Sequence, residues 1–198
     1  MCPLPSHVRL GSVLSPRDLP VAKLHSARLD GDVYALGDFW CPIDEVDGPR
    51  NRARAAALLV PVSVVAERGT AAWIYGLLPE PLCHELRLDS KARKHVNASF
   101  RARVREVRYP FADTEVYGGV AVTTALRTAV DLALCRQHDV DALGETHLIR
   151  LLAGLLRYSG CFDTENAARL CVPTRSATAQ RATARFAAVQ QLFDQGSA

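Results

Sequence analysis

The 198-residue chain has no apolar run approaching the length needed to cross a bilayer. Its first residues, Met1-Cys2-Pro3-Leu4-Pro5-Ser6, are neither a basic leader nor an apolar signal. These two absences predict a cytoplasmic protein with no membrane partner. Paired cysteine motifs are missing too: the six cysteines are scattered, with no C-x-x-C and no histidine at metal-ligand spacing, so reduced structural thiols and no metal are expected. Cys83-His84 is the one Cys/His neighbour pair, and adjacent residues rarely share an ion in a closed site. Lysine is scarce, with Lys23, Lys91 and Lys94 alone among 24 cations, a bias that reflects GC-rich coding more than a binding preference. Neither a G-x-x-x-x-G-K-[ST] loop nor a G-x-G-x-x-G turn occurs, nor an H-R-D or D-F-G pairing, so no P-loop enzyme or ordinary protein kinase is visible.

What is present is charge, unevenly spread. Residues 1–48 hold 4 cationic and 7 acidic residues, residues 49–110 hold 12 and 5, and residues 111–198 hold 8 and 9, for nets of −3, +7 and −1. Phosphate neutralisation supplies most nonspecific nucleic-acid affinity, so a basic surface is to be sought in the middle. There Arg50, Arg52 and Arg54 open a predicted helix, Lys91, Arg93 and Lys94 precede His95 in a polar loop, and Arg101, Arg103, Arg105 and Arg108 follow in a strand-like run. In Arg101-Ala102-Arg103-Val104-Arg105 the alternation would put three guanidinium groups on one strand face. A nucleic-acid surface, a solvated outer face and a cover for an acidic partner protein all fit that stripe, and no aromatic residues interleave for stacking on bases.

Periodicity places the other elements. Ser15 can cap a short helix before Pro20, Val21 to Arg28 forms about two turns, and Val33–Leu36 with Phe39–Ile43 reads as a hairpin around Gly37-Asp38. Pro49 to Leu59 reads as a helix, and Glu85–Asp89, Ala102–Tyr109 and Glu115–Val122 as strands of a small sheet. After residue 137 the chain is helical. Leu148, Leu151, Leu152, Leu155 and Leu156 form one stripe ending at Gly160, Asp163 caps a short helix, and Ala182, Phe186, Val189 and Phe193 share a face of the last helix. No linker separates this part from the sheet, so the two are expected to pack closely.

Two stretches carry more than periodicity. In Glu67 to Leu77, Thr70 is placed to cap a short apolar helix containing Trp73 and ending near Gly76. In Gly118 to Ala133, the glycine pair suits a tight turn, Val120 and Val122 alternate as a strand, and Thr123 or Thr124 caps a helix whose apolar face is Leu126, Ala129, Val130, Ala133 and Leu134. Arg127 and Asp131 stand four apart in the weaker order for helix support, so they either dock the helix or serve a further purpose.

Over residues 28 to 134 these stretches resemble the AbiEi antitoxins, regulators encoded beside nucleotidyltransferase toxins, in their actinobacterial form. Leu29 to Gly37 looks like that family's wing, Thr70-Ala71-Ala72-Trp73 its second signature, and Val122 to Leu132, with Thr123, Thr124, Arg127 and Asp131, its third. The resemblance implies an α+β fold with a reduced winged-helix-like segment over 1–48, a central basic α/β module with a short mixed sheet over 49–136, and a C-terminal helical bundle over 137–198. Its implied function is neutralisation, by the basic central module and the helical C-terminal part, of a toxin that modifies the 3′ end of tRNA, with operator DNA as a second partner through the wing and Arg50, Arg52 and Arg54. No cofactor is expected, and no catalytic residue is assigned. An atypical serine kinase that phosphorylates the toxin is the alternative; it would need ATP and Mg2+, and the central arginines and Asp131 would be the first places to seek its pocket. A repressor without a toxin partner is the other alternative. The Gly118 to Ala133 stretch is also similar to a module found ahead of nuclease domains, but those need Glu-x-Lys, and no lysine follows residue 95.

Overall fold

The computed structural model describes residues 11–59, 64–89, 101–107, 113–135, 144–171 and 177–195. It is an α+β fold. α1 (Val21–Asp30) begins after Pro20, whose fixed φ suits a helix entrance, and stops at Gly31, which takes φ +83°. Residues 15–18 make a turn rather than the expected helix: the Asp18 carboxylate accepts from the Ser15 amide and hydroxyl at 2.8 and 2.7 Å, which closes the chain before a second turn can form. The strands β1 (Val33–Leu36) and β2 (Phe39–Pro42) pair antiparallel around Gly37-Asp38. Leu14 bridges to Trp40, and Leu14, Leu24, Val33 and Trp40 make a small core of their own. Leu36 and Cys41, on the opposite side of the hairpin, reach the main core.

α2 (Pro49–Leu58) starts with proline in its first turn, where the missing N–H has no helical partner to lose. A five-stranded mixed sheet follows: β3 (Val65–Ala66), β4 (His84–Asp89), β5 (Ala102–Val107), β6 (Thr114–Tyr117) and β7 (Val120–Thr123), in the order β5-β4-β3-β7-β6. β3 runs parallel to β7 and antiparallel to β4, and β4 runs parallel to β5. The segment read as one strand over Glu115–Val122 is a hairpin, because Gly118 and Gly119 both take positive φ, the pair a two-residue primed turn demands.

α3 (Arg68–Ile74) follows β3, and α4 (Ala125–Ala133) follows β7. The third helical group is α5 (Glu145–Tyr158), α6 (Thr164–Arg169) and α7 (Ala177–Gln195). All five leucines of the α5 stripe and all four apolar residues of the α7 face are buried in one core with Ala66, Leu86 and Val122 of the sheet. Asp163 caps α6, accepting from the Asn166 amide at 2.9 Å. On α4, Leu126 and Leu134 are only partly buried, whereas Thr128, Asp131 and Leu132 are enclosed. The reason is placement: α3, α5, α6 and α7 all pack on α4, so more than one stripe of it is covered.

α7 also supplies an anchor that no apolar pattern announces. Arg185 is buried, and its guanidinium donates to the Ala133 and Cys135 carbonyls at 2.8 and 2.9 Å and to both oxygens of Glu145 at 2.8 and 3.0 Å. One side chain thereby satisfies the carboxyl end of α4 and ties it to the start of α5.

Candidate functional site: an arginine–carboxylate cluster at two strand ends

β3 and β7 lie side by side with Ala66 opposite Val122, so their carboxyl ends open at the same level and each leads directly into a helix. Ligand sites of parallel sheets favour this position. Arg68 turns the β3 corner at φ +49°, a left-handed conformation uncommon for a side-chain-bearing residue. Thr124 rather than Thr123 caps α4, its hydroxyl accepting from the Arg127 amide at 3.2 Å. Thr123 faces inward, sharing a 2.7 Å hydrogen bond with the Thr128 hydroxyl, while its carbonyl accepts from Tyr75 Oη at 2.5 Å.

Around these ends charges of both signs interlock. Glu67 is 2% exposed, and its two carboxylate oxygens accept from Arg105 Nε and Nη2 at 3.1 and 2.9 Å. Glu85 accepts from the Gly69 amide at 3.2 Å and lies 3.4 Å from Arg68 Nη1. Arg127 reaches Asp131 Oδ1 at 2.6 Å and Asp113 Oδ2 at 3.5 Å. Arg87 is buried among them; burial pulls its guanidinium below the ordinary value, against the pull of Asp131 and Glu67. Asp131 is 6% exposed, and its Oδ2 has no hydrogen-bond partner among the described residues. Glu67, Arg87 and Asp131 are the buried members of the cluster, and removing the partner of any of them would leave a charge in low dielectric.

Of the two signatures, the second contributes differently from expectation. Thr70 does not cap α3; Glu67 occupies the cap position, and the Thr70 hydroxyl accepts from the Glu85 amide at 2.7 Å, with His84 Nδ1 3.4 Å away. Trp73 meets the buried His84 ring edge-on at 5.3 Å, and its carbonyl accepts from Arg52 Nη1 at 2.8 Å. Burial holds the His84 imidazole below its ordinary pKa, opposed by Glu80 3.2 Å from Nε2.

The basic stripe is dispersed. Arg101 precedes β5 and bridges Asp38 at the β1–β2 turn to Glu80, donating also to the Leu82 and Pro81 carbonyls. Gly37 rests against this clamp so closely that a Cβ there would stand 2.5 Å from Glu80 Oε1. Arg105 serves Glu67, and only Arg103 of the three is exposed without a described partner. Arg52 binds Asp47 through two bonds of 2.7 and 2.8 Å, and Arg54 donates to Ser12 and to the Gly118 carbonyl. Arg50 remains exposed. Lys91, Arg93, Lys94 and Arg108 lie outside the described residues. Glu67, Arg87 and Glu80 were not singled out from sequence, although the alternation Glu85-Leu86-Arg87-Leu88 already sets two charges on one face of β4.

No family model matches the chain, and no curated protein matches it. Among the described residues no three His, Cys, Asp or Glu side chains are grouped to hold a metal, and no helix is long and apolar enough to cross a membrane.

Proposed function

We propose that the protein is the cytoplasmic antitoxin of a toxin–antitoxin pair and neutralises a nucleotidyltransferase toxin encoded beside it, an enzyme that modifies the 3′ end of tRNA. The observation that carries this reading is the mutual packing of the two signature stretches. α3, with Thr70 to Trp73, lies against α4, and the strands leading into them, β3 and β7, pair in parallel. Stretches about fifty residues apart thus form one module behind a helix–hairpin segment, in the order of the AbiEi resemblance. The described cysteines are all unpaired, in keeping with a reducing cytoplasm. Arg50, with the exposed Lys23, His25 and Arg28 of α1, provides the cations for a secondary role in repressing its own operon.

The test is co-expression with the neighbouring toxin gene, scoring growth, the intact mass of the toxin and its co-purification. Rescue with an unmodified toxin in a stable complex is the expected result. A toxin heavier by one phosphate and free of this chain would make the protein an atypical kinase instead. Operator binding without rescue would leave it a repressor.

A further inference from the structure

Arg150 and Arg157 stand on the outer face of α5, both exposed, and neither side chain makes a hydrogen bond or an ion pair among the described residues. Seven positions apart, they fall on one line of the helix about 10 Å from each other along its axis. Gly154 lies between them, and the exposed His147 precedes Arg150 by one turn. The one acid of this helix, Glu145, is held through both oxygens by the buried Arg185 at 2.8 and 3.0 Å. The outer face of α5 is therefore cationic, with no acid of its own helix left to neutralise it.

At the end of α5 this line of cations meets aromatic rings. The Arg157 guanidinium lies over the Phe193 ring, 5.0 Å from its centre, and Phe162 packs against the same ring at 5.9 Å with 60° between the planes. Phe193 is buried, whereas Phe162 is 62% exposed, so one ring is the seat and the other is presented to solvent. Attraction to the Phe193 ring holds the Arg157 guanidinium beside Phe162 without neutralising it. The acids that flank the rings in sequence have local tasks: Asp163 caps α6 and lies 3.6 Å from Arg169, Asp194 accepts from Gln190 at 2.9 Å, and Glu165 sits in the first turn of α6, where an acid favours the helix end.

An exposed ring seated beside a guanidinium, with a second open cation in line, has the chemistry of an unpaired nucleotide strand, whose bases stack on aromatic or guanidinium planes while arginines meet its phosphates. The face of a base inside a duplex is already stacked, so a duplex could use the charges alone. We propose that Arg150, Arg157 and Phe162 form a binding surface for an unpaired RNA strand, Phe162 taking a base and the two arginines its neighbouring phosphates. The aromatic residue that the arginine run over 101–105 lacks is present here, in a part of the chain whose net charge is −1. This surface goes beyond the toxin-neutralising reading and does not depend on it.

The test uses the full chain and a fluorescein-labelled RNA of about 12 nucleotides that cannot pair with itself, with affinity read by anisotropy across a salt series. The wild-type protein should bind the strand more tightly than a duplex of the same sequence and more tightly than AMP. Phe162→Ala should weaken binding about tenfold while leaving the salt dependence as it was, because stacking carries no charge. Arg150→Gln with Arg157→Gln should weaken it about fivefold and reduce the slope of log affinity against log salt by about 1.4, the share of two phosphate contacts. The exposed Arg17, remote in sequence from α5, is the control: Arg17→Gln should bind as wild type does. Should Phe162→Ala fail to melt cooperatively, Phe162→Leu replaces it, keeping an apolar contact on Phe193 without a ring face; Arg150→Gln alone, with half the change in slope, replaces a double variant that does not fold. The surface is overturned by a wild-type chain that does not bind the strand, by folded Phe162 or arginine variants that bind as wild type does, or by equal affinity for the duplex or for AMP.

Discussion

Residues 49–110 and residues 1–48 use charge in opposite ways. The middle is rich in arginine, yet Arg52, Arg68, Arg101 and Arg105 are matched to Asp47, Glu85, Asp38 with Glu80, and Glu67. The first segment is acidic, and Asp30, Asp32 and Asp44 remain in solvent beside exposed apolar side chains. Net charge along the chain therefore does not tell which charges stay open to solvent: sign is read from sequence, but availability depends on which charges have already found partners across the fold. Two of the acids paired in the middle, Asp38 and Asp47, come from the acidic segment itself, so the same ion pairs that quiet the basic module also fasten the hairpin to it.

That contrast can be broken at several strengths. Glu67→Ala should have the largest effect, since it leaves Arg105 without its acid and the buried Arg87 with one fewer; a loss of about 3 kcal/mol is expected in urea unfolding. Wild-type stability in that variant would reduce the cluster to decoration. Gly118→Ala follows at about 2 kcal/mol, because its φ of +59° strains any side chain and a Cβ would sit 2.8 Å from the Arg50 carbonyl. Thermal melting checks it. Arg101→Gln should cost about 1 kcal/mol overall while raising hydrogen exchange selectively across residues 33–42, the hairpin that Arg101 fastens. Uniform exchange would remove the clamp from the account.

The smallest effect is in pH. His84 titrates below its unfolded value of about 6.5, so the unfolded chain binds the proton first and stability falls as pH drops through that value, with no contribution above it. Melting temperatures between pH 7.5 and 5 should show this acid slope, and His84→Gln should flatten it.

Much of the architecture was legible because it is local. The leucine stripe of α5, the apolar face of α7, the Asp163 cap and the Gly118-Gly119 turn each depend on residues within a few positions of one another. The cluster was not, because its partners are distant in sequence: Arg105 and Glu67 are 38 residues apart, Arg101 and Glu80 are 21 apart. Thr70 misled for the same reason. Its hydroxyl suits a cap, but the Glu85 amide, 15 residues on, takes it first. Val120 to Asp131 pointed correctly to a strand, a cap and an Arg127–Asp131 contact, while burial of Asp131 depended on helices that follow it.

Arg185 gives the chain an order of completion. The carboxyl end of α4 is satisfied by a side chain some fifty residues downstream, so α4 can form early but remains open at one end until α7 arrives. A nascent chain stopped before α7 would expose the unmet carbonyls of Ala133 and Cys135 together with the leucines of α5, the kind of surface that proteases and chaperones recognise. Only a chain read through to α7 closes the end of α4 that Arg185 satisfies.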